Sequence, residues 1–155
     1  MSARSGIVKA FAAELLSQFT GSGEYLTNLF NNNVSNKVYH FDNVPDFPFI
    51  SVTPGPETRE NLPSLQVWGF LTVYFRIYVR DTDDAQGQLE QIIADLENFI
   101  DNTRLLAYNV NTPSGLETRN ITDSNIQSIT TDEGLLAPNG FGEIAVTIRY
   151  EKSRY

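Results

Sequence analysis

One histidine, His40, stands in the run VYHFDN with Asp42 two residues on, the only pairing in the chain that resembles a general base with its orienting carboxylate. Nucleophilic catalysis would also need a hydroxyl on a strained elbow, and no G-x-S-x-G occurs, so His40 is read as structural or incidental. Asp81, Asp83 and Asp84 could gather a divalent cation. Ala85 and Gly87, however, fall where a calcium loop needs oxygen ligands, and no terminal Glu follows at the right distance. Helix capping by Asp83, with Gln86 three residues later, accounts for the same residues. Phosphate-cradling and dinucleotide fingerprints are lacking, and with no cysteine the chain has no thiolate ligand, thiol nucleophile or disulfide. No catalytic residue, metal or cofactor is expected.

A third set is richer. Trp68, Phe70, Tyr74 and Tyr78 alternate with aliphatic residues and share their parity with Arg76 and Arg80. Such a face could stack single-stranded nucleic acid, form a second layer of core, or meet another subunit. A formal charge of −8 and a pI near 4.5 argue against gripping phosphate. The interface reading is preferred, partly because Leu135 and Leu136 offer further apolar surface within a loop.

These residues need a scaffold. From Leu71 to Val79 every odd position is aliphatic or Phe, which predicts a long strand with one aliphatic face and one aromatic, cationic face. Leu89, Ile92, Ile93, Leu96, Phe99 and Ile100 then recur at helical spacing, predicting a long amphipathic helix over about 83–102. An N-terminal helix is expected over about 3–20, stopped by Gly21 and Gly23, with Tyr25, Leu26, Leu29 and Phe30 as a further helical turn or a bent continuation. Strands are expected at 38–41, at 49–53 ended by Pro54, at 105–110, at 126–130, and at the C-terminus, where Ile144, Val146, Ile148 and Tyr150 line one face. The run PGPETRENLPSL reads as a stiff, extended arm over 54–65, and 111–125 as a polar loop. The expected fold is α+β: a mainly antiparallel sheet carrying the N-terminal helix and the long central helix, in one domain over 1–155.

At 155 residues the chain can bury a core without staples. Lys9 and Glu14 interrupt the N-terminal apolar residues before a signal-peptide core can form, and no window reaches a bilayer span. A soluble product made in the cytoplasm, without membrane partners, is expected.

The segments FPFISVTPGPETRENLPSLQVWGFLTVYFRIYVRDTDDAQGQLEQIIADLENFIDN and ITTDEGLLAPNGFGEIAVTIRYEK resemble the tail terminator, or tail completion, proteins of long-tailed bacteriophages, over about residues 38–152. The PGPETRE arm, the W-G strand and the DEG loop carry the likeness. It implies an α+β subunit of a hexameric ring in the virion, at the head-proximal end of the tail. That ring would cap the tube, stop its polymerisation and present a docking surface to head-tail connector proteins, with DNA passing through its lumen unbound. A connector or neck protein between portal and tail is the alternative. For either, Trp68, Phe70, Tyr74, Arg76, Tyr78 and Arg80, the arm residues Glu57 and Arg59, and Leu135 with Leu136 are the expected subunit or tube contacts.

Overall fold

A computed structural model describes residues 1–152. Its first helix, α1 (Ala3–Gln18), starts where the Ser2 hydroxyl accepts a hydrogen bond from the Ser5 N–H, and it buries Ile7, Val8, Phe11 and Leu15. Seven strands follow in order: β1 (Val34–Ser35), β2 (Phe49–Asn61), β3 (Val67–Arg80), then, after the second helix α2 (Ala85–Asn102), β4 (Ala107–Thr112), β5 (Gly115–Asn120), β6 (Asp123–Thr131) and β7 (Asn139–Lys152). Five of them make a sheet in the order β1-β2-β3-β7-β6, antiparallel except for the short parallel pair β1-β2, while β4 and β5 form a separate hairpin.

Both helices lie on one face of the sheet. Every odd position of β3 from Val67 to Val79 is buried beneath them. Phe11 of α1 packs edge-on to both Phe75 of β3 (5.4 Å between centroids) and Phe99 of α2 (6.3 Å), so one ring joins the three elements. Each such ring removed from water contributes about 1.5–3 kcal/mol. Gly6 lets α1 approach the hairpin, since a Cβ there would sit 2.1 Å from the Asn109 carbonyl oxygen.

The layout overturns the expected architecture. Among the described residues there are two helices, of 16 and 18 residues, and neither is central: β3 is, flanked by β2 and β7 and paired along its length with β7. A long central helix over about 83–102 is therefore not what organises the fold, which is mostly-sheet α+β. The cap moves too: Asp84, not Asp83, accepts from the Gly87 N–H at 2.9 Å.

Other departures are local. β2 does not stop at Pro54 but runs on to Asn61, with a bulge between Pro54 and Glu57, so much of the expected free arm is sheet. Prolines are tolerated there because that stretch lies beyond β1 on the open side of the sheet. Residues 25–30 are not helical: Tyr25, Thr27 and Leu29 are buried while Leu26, Asn28 and Phe30 are exposed, a period of two. No strand forms at 38–41: β1 lies upstream at Val34–Ser35, residues 38–40 are irregular and a 3₁₀ turn begins at Phe41. The expected polar loop after β4 contains β5, whose residues are nearly all exposed.

Candidate assembly surface

The even positions of β3 face away from both helices. Trp68, Phe70, Thr72, Tyr74 and Arg76 are each half-buried, which on a strand means that neighbouring side chains shield them while no layer covers them. Register builds the surroundings: Trp68 stands opposite Glu60 and Glu151, Phe70 opposite Thr58 and Arg149, and Arg76 opposite Ser51 and Glu143.

The cations on this face are held in place. Arg76 donates through Nε to Glu143 at 2.9 Å and through a terminal nitrogen to Thr53 at 2.8 Å, and its guanidinium lies 4.7 Å from the Tyr74 ring centre. Arg149 sits 4.8 Å over Trp68 and donates to the Thr122 hydroxyl at 2.8 Å. Fixed guanidinium planes on aromatic rings lose little freedom when a partner arrives, and aromatics with Arg are the residues enriched at protein contacts. Sequence reasoning missed Arg149, although the alternation of β7 signalled it.

One end of the face is closed by the chain itself. Tyr78 is only 3% exposed, because Phe41 and Phe141 each stack edge-on to it at 5.3 Å and Phe49 lies at 6.0 Å. Burial pushes the Tyr78 hydroxyl up from its ordinary pKa. Arg80, at the rim, is exposed; it holds Asn139 at 2.8 Å and covers the Phe47 ring at 4.5 Å. The segment from Tyr39 to Phe47 thus lids the Tyr78 end and leaves the Trp68 end open.

Glu57 points the other way. It stands opposite the buried Leu71, on the helix side, with 9% of its side chain exposed. There it accepts from the Tyr150 hydroxyl at 2.6 Å and from Lys152 at 2.5 Å, with Arg4 at 3.7 Å. Burial would raise its pKa, but the hydrogen bonds from Lys152 and Tyr150 and the charges of Lys152 and Arg4 outweigh burial and hold it below the ordinary value. The same environment raises the pKa of Tyr150, through burial first and the Glu57 contact second. Arg59 is exposed near the hairpin tip.

Leu135 and Leu136 are 85% and 45% exposed on the β6–β7 loop. The loop is nonetheless shaped: the Asp132 carboxylate accepts from the N–H groups of Leu136 (3.0 Å) and Phe141 (3.2 Å), and the Asp81 N–H donates to the Pro138 carbonyl. Gly134 takes φ 82°, a conformation that suits glycine. Residues from Asp81 to Gln86, with Gly134, Ala137, Pro138 and Asn139, border an open depression of about 480 Å³. Asp81 accepts from the N–H groups of Asp83 and Asp84, and among the described residues no three acidic or histidine side chains are grouped to hold a metal. His40 is exposed at the start of the 3₁₀ turn, and no described helix is long and apolar enough to cross a membrane.

The sequence pattern of the family described as Bacteriophage Tail Tube Terminator Protein matches residues 1–155. The chain belongs to that family. The chain is also 41% identical over 157 residues to the tail tube terminator protein p142 of Escherichia phage T5, a match spanning 99% of this chain and 97% of that one. Among solved structures it resembles a chain in the virion of a native gene transfer agent particle, with a TM-score of 0.53 and 10% identity over 97% of this chain and 96% of that one, which shows a shared fold. The resemblance read over about 38–152 extends to the whole chain. This chain is a structural protein of the phage tail, from a family of structural rather than enzymatic proteins.

Proposed function

We propose that this protein caps the head-proximal end of the tail tube as a closed ring of six copies, ending polymerisation and offering the upper surface to which head-tail connector proteins dock. The observation that carries this reading is the outer face of β3, a half-buried row of Trp68, Phe70, Tyr74 and Arg76 that no described helix covers. In the assembled tail this row meets a neighbouring copy or the last ring of tube subunits. A closed ring requires two different patches on each copy, and the loop carrying Leu135 and Leu136 supplies one of them. Tyr78, already covered, and Glu57, facing the helices, support the surface from within; Arg80 and Arg59 lie at its rims.

DNA passes through the lumen without being held, consistent with a net charge of −8 that disfavours grip on phosphate. The test is to replace the natural chain by Trp68→Glu/Tyr74→Glu and image the particles by electron microscopy. Overlong or headless tails support the reading; filled heads that leak DNA from tails of normal length would assign the chain to the neck instead.

A further inference from the structure

Both edges of the sheet are poor in charge and carry exposed apolar side chains. Charged residues make up 19% of the chain, yet residues 25–41 hold one, Lys37, and residues 124–131 hold none. Charge depletion with exposed apolar groups is the mark of the centre of a protein interface. On the β1 side Phe30 is 65% exposed and Val38 61%; on the β6 side Ile129, Leu135 and Leu136 are exposed.

Both patches also lie at the same end of the sheet. Asn33 donates to the Pro48 carbonyl and Ser51 to that of Lys37, which sets Phe30 and Val38 beside Phe49. Phe49 pairs with Tyr78, Tyr78 with Phe141, and Asp132 donates to Phe141, which sets the leucine loop at the far end of that row. A copy with two unlike patches at one height on opposite edges is built for head-to-tail closure. Edge chemistry agrees. The stretch of β2 beyond β1 carries Pro54, Pro56, Glu57, Arg59 and Glu60, groups that discourage strand pairing, whereas β6 from Ser124 to Thr131 has neither charge nor proline and only the bulge near Gln127.

The geometry points to a specific contact: the leucine loop and adjoining β6 edge of one copy seat on the Phe30–Val38 patch of the next. This rests on the ring reading above and names which surfaces close the ring. Because the chain has no cysteine, thiol pairs report it cleanly. Leu135→Cys and Val38→Cys, singly and together, are exchanged for the natural chain in assembled tails and treated with a bismaleimide. The double variant is expected to give a ladder of covalent oligomers ending at the ring size, a mixture of the two single variants to stop at dimers, and each single variant to remain monomeric. Monomers from the double variant, while glutaraldehyde still yields the ladder, would overturn this contact and leave the ring standing. Loss of both ladders would remove the ring as well. Self-linked Leu135→Cys dimers, or linkage to another tail protein, would equally overturn the head-to-tail contact.

Discussion

The two faces of β3 are made by one strand and serve opposite ends. On the odd face, Leu71, Val73, Phe75 and Ile77 are sealed beneath α1 and α2; on the even face, Trp68, Phe70 and Tyr74 are shielded only by their neighbours. Residues of similar hydrophobicity are core on one side and open on the other. The difference therefore lies in what the described residues provide as cover.

Substitutions that separate the faces give the strongest tests. Phe75→Ala empties the meeting point of Phe11 and β3 and is expected to cost about 3–5 kcal/mol in chemical denaturation. Tyr78→Ala, though on the even face, should behave like a core change, costing about 3 kcal/mol, because the aromatic lid already buries it. A cost as small as that of Tyr74→Ala would break the distinction between its closed and open ends.

Glu57→Gln keeps an acceptor for Tyr150 but loses the charge facing Lys152 and Arg4, with an expected loss of about 1–2 kcal/mol at neutral pH. Because the folded pKa is depressed, the carboxylate stabilises the fold above its ordinary value of 4.5, and that contribution disappears as pH falls through the folded value. The gap between the two proteins in thermal melts should thus close under acid; a gap that widens would contradict the ion-paired assignment. Trp68→Ala and Tyr74→Ala are expected to change monomer stability least, by about 1 kcal/mol or less, while weakening assembly measured by native mass spectrometry with tube ends present.

Periodicity made the strand faces legible, since burial of one face imposes alternation on β3 and β7. It also identified the buried side of residues 89–100, but not the standing of that helix, because periodicity reports a buried face and not which element lies at the centre. Pro54 concealed the rest of β2: a proline ends a central strand but is harmless on an open edge beside a bulge. β5 was hidden because an exposed hairpin needs no apolar alternation. Tyr78 was grouped with Tyr74 by parity, as nothing in the spacing of Tyr39, Phe41 and Phe47 announces that they fold over it. Likewise, parity could not show that the bulge would turn Glu57 toward Tyr150 and Lys152.

The lengths of tails built with Trp68→Glu/Tyr74→Glu, once that variant has been shown to melt as the natural chain does, give the most direct test. A broad distribution extending well beyond the natural length is expected, from tubes that never receive a cap. Tails of natural length, fully joined to heads, would contradict the assignment of the outer face of β3 to assembly.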